Sequence, residues 1–94
     1  MALRSFKGKD TEAFWNGARI LRFQTFEKTA MRKLQVLHAA ASLNDLAAVP
    51  GNRLEKLEGD RLGQHSIRIN GQWRVCFRWD RRDAHEVEIN NHYS

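Results

Sequence analysis

The chain lacks the features on which many metalloproteins, nucleotide-binding proteins and secreted proteins depend. It has one cysteine, Cys76, which excludes an internal disulfide and is typical of a protein that stays in a reducing cytosol. Its four histidines show no paired spacing of the kind that binds a metal. There is also no Gly-rich loop of the P-loop kind. The sequence therefore implies no metal and no cofactor.

Long apolar runs are absent as well. No stretch approaches the length of a membrane span, and the first residues, MALRSFKGKD, carry charge without the apolar segment of a signal peptide. We therefore expect a cytoplasmic protein that neither is secreted nor binds a membrane.

What the chain does have is enough apolar residues for a small core and an excess of positive charge. Its 94 residues, 41% of them hydrophobic and 29% charged, predict a single globular domain over residues 1–94. A core this small leaves most strands with one exposed side. The net charge of +5 favours anionic partners such as nucleic acid, although it does not establish one.

The first half of the chain has the apolar spacing of helices. After a short strand candidate, ALRSF, we expect a helix over residues 11–18 and, later, a short helical turn in LNDLAAVP. Between them a stripe at spacings of three and four predicts a longer helix. The stripe consists of Phe23, Phe26, Ala30, Leu34, Leu37 and Ala41.

The second half has the alternation of strands. RLEKL is a short strand candidate, and HSIRIN, WRVCFRW and HEVEINNH alternate between apolar and polar residues. The order β-α-α-β-β-β predicts an α+β domain, in which two N-terminal helices pack on one face of a small, mostly antiparallel sheet.

The register of the two strands around Asn70-Gly71 decides which side chains share a face. A two-residue turn there would mix arginines and apolar residues on both faces. The apolar residues lie together only if the loop has an odd number of residues, for which Asn70-Gly71-Gln72 is the shortest choice. Ile69 then lies opposite Trp73. A bulge or a longer loop would also satisfy the pattern.

This register gathers polar residues from three strands on the opposite face. They are Ser66, Arg68, Arg74, Cys76, Arg78, Glu86, Glu88, Asn90 and His92. Three arginines and a histidine near the end of the chain thus converge on the face that the helices leave open, which is a candidate site for phosphate. Alternatively, Glu86 and Glu88 pair across the strands with Arg74 and Arg78, and the face is an ordinary solvated one.

The run LEKLEGDRLGQHSIRINGQWRVCFRW, followed by VEINNHY, resembles the HigB branch of the RelE/ParE toxin superfamily. Its pattern L-x-G-D-R-x-G-x-x-S-I-R-x-N-x-x-W-R-x-x-F, from Leu57 to Phe77, is specific for that branch. The resemblance implies a RelE-like fold and a bacterial toxin of a type II toxin–antitoxin pair. Such toxins enter the A site of the 70S ribosome and cut messenger RNA there without a metal. The implied partner is a HigA-like antitoxin with a helix-turn-helix domain.

Metal-free cleavage of RNA needs a base, an acid and cations at the phosphate that the 2′-hydroxyl attacks. Arg74 matches the family's strand arginine and is the first candidate for stabilising the transition-state charge. His92 is a candidate general base or acid, and Tyr93 either shares that role or stacks on a base. Further RNA contacts are expected from Arg61, Arg68, Arg78 and Asn91.

Two aspects of this assignment stay open. Members of the branch commonly end in Asp-Tyr-His, whereas the matching residues here are Asn91, His92 and Tyr93, which predicts slow catalysis or an altered acid–base pair. Arg61 is alternatively an anchor for the loop that enters the sheet. Two other functions compete: a ParE-like toxin that binds DNA gyrase without cutting RNA, and a catalytically weak member that binds only RNA or its antitoxin.

Overall fold

Four strands from the second half of the chain form an antiparallel sheet. The structure, a computed structural model, describes residues 3–91. The strands are β1 (Glu55–Lys56), β2 (Gln64–Arg68), β3 (Arg74–Asp80) and β4 (Asp83–Asn90), and they lie in the order β1-β2-β3-β4. Each pair of neighbours is antiparallel, so the predicted sheet is confirmed.

Three α-helices precede the sheet: α1 (Lys9–Trp15), α2 (Glu27–Ala39) and α3 (Leu43–Ala47). A 3₁₀ helix at Leu21–Phe26 leads into α2, and a second one at Gly59–Arg61 joins β1 to β2. In the part of the chain that the structure describes, no helix has the length and apolar character needed to cross a membrane.

The two predicted helices differ from the observed ones at their ends. The helix expected over 11–18 stops at Trp15, because the backbone turns at Gly17, whose φ of 103° is left-handed. The longer helix starts four residues later than its apolar stripe, since Phe23 lies in the 3₁₀ segment and is still fully buried there. The stripe therefore predicted burial correctly from Phe23 to Leu37, but Ala41 is exposed and lies beyond the end of α2 at Ala39.

The core lies between α2 and one face of the sheet. From the helix, Leu34 and Leu37 have no exposed surface, and from the sheet Ile67, Val75 and Phe77 have none either. Each such side chain stabilises the fold by roughly 1.5–3 kcal/mol relative to an exposed one. Helices α1 and α2 both contact β4, and α2 also contacts β3. The predicted packing of two helices on one sheet face is confirmed.

The register of β2 and β3 is the one that the apolar alternation predicts. Ile67 pairs with Val75, and Arg68 pairs with Arg74. The backbone N–H of Ile69 donates to the carbonyl of Trp73 at 2.9 Å, which leaves a three-residue loop. Asn70 stabilises that loop, because its Oδ1 accepts hydrogen bonds from the backbone N–H groups of Gln72 and Trp73 at 2.8 and 2.9 Å.

A β-bulge interrupts the pairing of β3 with β4. Cys76 pairs with Glu88, whereas Arg78 pairs with His85, so one extra residue of β4 lies between these pairs. Glu86 takes a left-handed φ of 53° at the bulge. The extra residue keeps Val87 buried in the core and brings Glu86 to the side of Arg78.

The N-terminal segment adds parallel pairing at the free edge of β4. Leu3 forms a bridge with Ala84 and Phe6 forms one with Val87. The backbone N–H groups of Arg4 and Lys7 donate to the carbonyls of Ala84 and Val87 at 2.8 and 3.0 Å. The predicted short strand is thus present as two isolated bridges.

Candidate functional site

The sheet face turned away from α2, here called the polar face, carries the side chains that the sequence placed together. It includes Gln64, Ser66, Arg68, Arg74, Cys76, Arg78, His85, Glu86, Glu88 and Asn90, with His85 brought opposite Arg78 by the bulge. The centre of this face is closed, since Ser66 and Cys76 have no exposed surface and Arg74 is only 9% exposed. The expectation of an open face is therefore wrong at the centre.

The polar face is closed by the segment that enters and leaves β1. The backbone carbonyl of Arg53 accepts a hydrogen bond from Nη2 of Arg74, and the carbonyl of Leu62 accepts one from Nη1 of Arg78 at 3.4 Å. Gly63 lies so close that a Cβ there would be 2.7 Å from Nη1 of Arg78. Residues 53–63, which include the 3₁₀ helix at Gly59–Arg61, thus lie against the polar side chains.

One half of the polar face is an ion-paired cluster, formed by Arg61, Arg78, Glu86 and Glu88. Arg61 Nη2 lies 3.1 Å from Glu88 Oε1, and Arg78 Nε lies 3.2 Å from Glu86 Oε2. Glu86 therefore pairs with Arg78 as the solvated-face alternative expects, whereas Glu88 pairs with Arg61. The positive charge of both arginines is locally balanced.

The other half carries Arg68 and Arg74, and Arg53 is joined to it through its backbone carbonyl, which accepts from Arg74. These three arginines are called the cationic cluster. Arg68, Arg74 and Asn90 lie opposite one another across β2, β3 and β4. Within residues 3–91, no carboxylate lies within ion-pairing distance of any of the three arginines. Two like charges in directly opposed positions destabilise a sheet, so this row carries positive charge that the described fold does not balance.

Arg74 is bound by neutral acceptors of the chain. Its Nε donates to Ser66 Oγ at 2.6 Å, and its Nη2 donates to the carbonyls of Arg53 and Ser66. A guanidinium stays charged even when buried, and a buried charge without a counter-ion is unfavourable. This arrangement is suited to holding an anion near the surface above Arg74.

Asn52 joins this cluster to the helices, a role that its sequence context did not indicate. The side chain is fully buried; its Oδ1 accepts from Lys33 Nζ at 2.6 Å and its Nδ2 donates to the Leu46 carbonyl at 2.9 Å. Its own carbonyl accepts from the N–H of Arg68 at 2.6 Å. A single asparagine after Pro50-Gly51 is typical of an exposed turn, so the local sequence did not indicate that Asn52 is buried.

Lys33 brings a further positive charge close to the cationic cluster. Burial lowers the pKa of Lys33, and the neighbouring charges of Arg32 and Arg68 lower it further. Its Nζ donates from α2 to Asn52 Oδ1 at 2.6 Å, and the carbonyl of Asn52 is bonded to the N–H of Arg68 at the end of β2.

Cys76 lies at the centre of the polar face as a neutral thiol. Burial raises its pKa to about 11, Glu88 adds to that rise, and the positive charge of Arg61 opposes it. Since thiolates are the reactive form, the structure gives this cysteine no nucleophilic role at neutral pH.

The predicted acid–base residues follow the end of β4. Asn90 is opposite Arg74, and the exposed Asn91 comes next. His92 and Tyr93 lie outside the described residues. Within residues 3–91, no group of three His, Cys, Asp or Glu side chains is placed to hold a metal ion.

The fold identifies the class of protein. The chain superposes on the YoeB dimer from Staphylococcus aureus with a TM-score of 0.64 and 22% identity, over 99% of this chain and 98% of that one. It superposes on the YoeB/ParE toxin from Agrobacterium tumefaciens with a TM-score of 0.57 and 18% identity, over 99% and 100% of the two chains. The architecture is therefore that of the RelE-like toxins.

Sequence comparison then gives the family. The family model described as "RelE-like toxin of type II toxin-antitoxin system HigB" matches residues 4–93, so the chain belongs to the HigB-like toxins. It is 43% identical over 81 residues to Toxin HigB-1 of Vibrio cholerae serotype O1, with 84% of each chain covered. It is also 32% identical over 65 residues to an uncharacterized protein of Haemophilus influenzae, covering 69% of this chain and 64% of that one. The predicted family is confirmed, and the protein is a toxin of a type II toxin–antitoxin system.

Proposed function

We propose that this toxin is an mRNA endonuclease that acts in the A site of the 70S ribosome and inhibits translation by cutting messenger RNA without a metal. The observation that carries the proposal is the cationic cluster, whose three arginines lack a carboxylate partner among the described residues. Arg74, at its centre, pairs with Asn90 of the last strand. Phosphate is the natural ligand of guanidinium groups placed in this way.

The proposed chemistry uses the RNA's own 2′-hydroxyl. A general base removes its proton, the 2′-oxygen attacks the adjacent phosphorus, and the bond from phosphorus to the 5′-oxygen breaks. A general acid gives a proton to that leaving oxygen. The products are a 2′,3′-cyclic phosphate and a 5′-hydroxyl, and cations stabilise the charge that the phosphorane gains in between.

The roles are assigned as follows. Arg68 and Arg74 supply positive charge to the phosphate, with Arg74 acting from below the surface because of its burial. His92 and Tyr93 are the proposed acid–base pair, and Asn91 is a proposed RNA contact next to them. Contacts from the ion-paired cluster, through Arg61 and Arg78, are secondary, since RNA has to compete there with a glutamate already in place.

The proposed partner in the cell is a HigA-like antitoxin with a helix-turn-helix domain. Two solved structures of similar fold are complexes of YoeB with YefM from Staphylococcus aureus, one of them described as a heterotetramer. At 22% identity this similarity concerns the fold. The HigA-like partner follows from the family to which the chain belongs.

Cleavage of defined mRNA on purified 70S ribosomes tests the proposal. We expect cuts within the A-site codon that leave a 2′,3′-cyclic phosphate, and no cut where the nucleotide before the scissile phosphate is 2′-deoxy. Arg74→Ala and His92→Ala should each reduce the cleavage rate at least tenfold. The first removes a positive charge that stabilises the transition state, and the second removes a general acid or base. Arg82→Ala, which removes an exposed arginine at the far turn between β3 and β4, is the matched control.

Two results would contradict the proposal. Trapped DNA breaks with purified gyrase and intact mRNA would favour the ParE-like alternative. Binding of RNA or antitoxin without cleavage, with equal behaviour of wild type, Arg74→Ala and His92→Ala, would indicate a catalytically inactive member of the family.

A further inference from the structure

Arg53 combines three features that the proposed roles do not use. Its φ of 45° is left-handed, a conformation that residues other than glycine seldom adopt. Its side chain is exposed, and within residues 3–91 no carboxylate pairs with it. Strained backbone of this kind persists only where the surrounding structure holds it, and such positions are often functional.

Arg53 is held from both sides. On one side is Asn52, whose backbone and side-chain groups bond to α2, to α3 and to Arg68, as described above. On the other side the buried guanidinium of Arg74 donates to the Arg53 carbonyl. The backbone that carries the Arg53 side chain is therefore fixed by a fully buried amide and a buried cation.

Arg74 itself is poorly placed to contact RNA directly. Its Nε and Nη2 are already bonded to Ser66 and Arg53, and a phosphate that used these groups would have to displace both partners. Arg53, by contrast, is exposed to solvent, and its backbone is bonded directly to Arg74 through the carbonyl. Arg53 is thus better placed to bind phosphate, and Arg74 is better placed to hold the backbone of Arg53.

We propose that Arg53 binds a backbone phosphate of the RNA substrate, and that Arg74 is a positioning residue that fixes Arg53 through its carbonyl. The ligand is a phosphodiester of single-stranded RNA, gripped by Arg53 together with Arg68, whose own N–H is bonded to the neighbouring Asn52 carbonyl. This inference rests on the proposed function, because it adds a residue to the same RNA site.

Binding of a fluorescein-labelled single-stranded RNA, about ten nucleotides long, tests the role of Arg53 without requiring cleavage. Arg53→Gly removes the side chain and suits the left-handed backbone, so it should fold. We expect its affinity to fall about tenfold, and the slope of log affinity against log salt to become shallower by about 0.7, the loss of one phosphate contact. Arg53→Lys should keep the slope and lose part of the affinity, and Arg82→Ala should match the wild type.

A double-mutant cycle tests the positioning role of Arg74. Arg74→Ala should weaken binding strongly in the wild-type background and less than twofold in the Arg53→Gly background, because its effect on binding passes through Arg53. The charge of Arg74 acts on the transition state, which this binding measurement does not report. Ser66→Ala, which removes only the Oγ that holds Arg74 Nε, is the milder variant if Arg74→Ala does not fold. A purely structural role of Arg74 would instead lower affinity equally in both backgrounds.

The outcomes separate this inference from the proposed function. If the wild type cuts mRNA while Arg53→Gly binds RNA with wild-type affinity and slope, the Arg53 inference is wrong and the nuclease stands. If RNA binding depends on Arg53 but no cleavage occurs on ribosomes, the nuclease is wrong and the Arg53 site stands. Additive effects of Arg53→Gly and Arg74→Ala would overturn the positioning role alone.

Discussion

Arg74 and Cys76 lie two residues apart on the same face of β3, and both are buried, yet burial affects their chemistry differently. The thiol responds by keeping its proton, so that its pKa rises to about 11. A guanidinium loses its proton too reluctantly to respond in this way, so Arg74 stays charged and is held by neutral oxygens. Single residues of the polar face therefore contribute either an inert packed group or a fixed positive charge.

The raised pKa of Cys76 predicts a loss of stability at high pH. The unfolded thiol ionises near its ordinary value of 9.0, whereas the folded thiol keeps its proton up to about pH 11. The unfolded state therefore binds fewer protons in this window, and the free energy of unfolding falls as pH rises through it, by on the order of 2 kcal/mol. Urea titrations at about pH 8 and about pH 10.5 measure the change.

Cys76→Ala is the control for this measurement, because other groups of the chain also titrate in the same window. The variant should lose less stability than the wild type between the two pH values. Parallel losses in the two proteins would show that the folded thiol ionises as an ordinary one does.

Elements of this fold are joined by a few buried polar groups as well as by the apolar core. Asn52 is the main one, since it links α2 through Lys33, α3 through Leu46, and β2 through the backbone of Arg68. The links to Lys33 and Leu46 are made by the side-chain amide and are lost when it is removed, whereas the link to Arg68 is made by the backbone carbonyl and remains.

Asn52→Ala should therefore destabilise the protein by about 2 kcal/mol, because it leaves a buried carbonyl and a partly buried ammonium without their partner. Asn44→Ala, at an exposed position in α3, is the matched control and should change the free energy of unfolding by less than about 0.5 kcal/mol. Chemical denaturation of both variants measures the difference. Equal stability of the two would mean that water replaces the amide at no cost.

The sequence predicted those parts of the fold in which apolar and polar residues recur at a regular spacing. It did not predict the parts that carry no such pattern. Alternation in HSIRIN and WRVCFRW was enough to fix which side chains of β2 and β3 share a face, because a slip by one residue would expose Ile67 and Val75. The same pattern left the length of the loop open. The bulge at Glu86 and the closure of the polar face by residues 53–63 carry no periodic signal. They arise from single tertiary contacts, such as the Arg53 carbonyl with Arg74, which only the folded chain brings together.

The candidate site was likewise predicted only in part. Alternation placed Arg68, Arg74 and Arg78 on one face, as the structure has them. It could not separate the arginines that glutamates neutralise from those that stay unbalanced, because the pairing of Arg61 with Glu88 joins residues 27 positions apart. The sequence did not indicate Arg53, the proposed phosphate ligand, for the related reason that its backbone conformation depends on the buried Asn52.

The whole molecule has a net charge of +5, and the structure indicates where part of it acts. Among the residues that the structure describes, four ion pairs form, and in three of them the arginine is more than a third exposed. Such pairs contribute little to stability. The cationic cluster, in contrast, concentrates charge at one end of the sheet.

Salt should therefore weaken RNA binding while leaving folding nearly unchanged. If three phosphates are contacted, raising salt from about 50 to about 200 mM reduces affinity for single-stranded RNA roughly 20-fold. The free energy of unfolding should change by less than about 1 kcal/mol over the same range, since the ion pairs are largely solvated. Fluorescence anisotropy and urea denaturation in matched buffers measure the two quantities; an equal response of both would contradict this separation.

The parallel bridges of the N-terminal segment have a practical consequence for how the protein is handled. Leu3 lies beside Ala84 and Phe6 beside Val87, so the segment runs along β4 away from the hairpin turn. An affinity tag or fluorophore attached ahead of residue 3 would emerge at the hairpin end of β4, whereas one attached after residue 94 would follow directly on the proposed acid–base residues. Fusions at the front of the chain are accordingly the ones expected to leave ribosome binding and antitoxin capture intact.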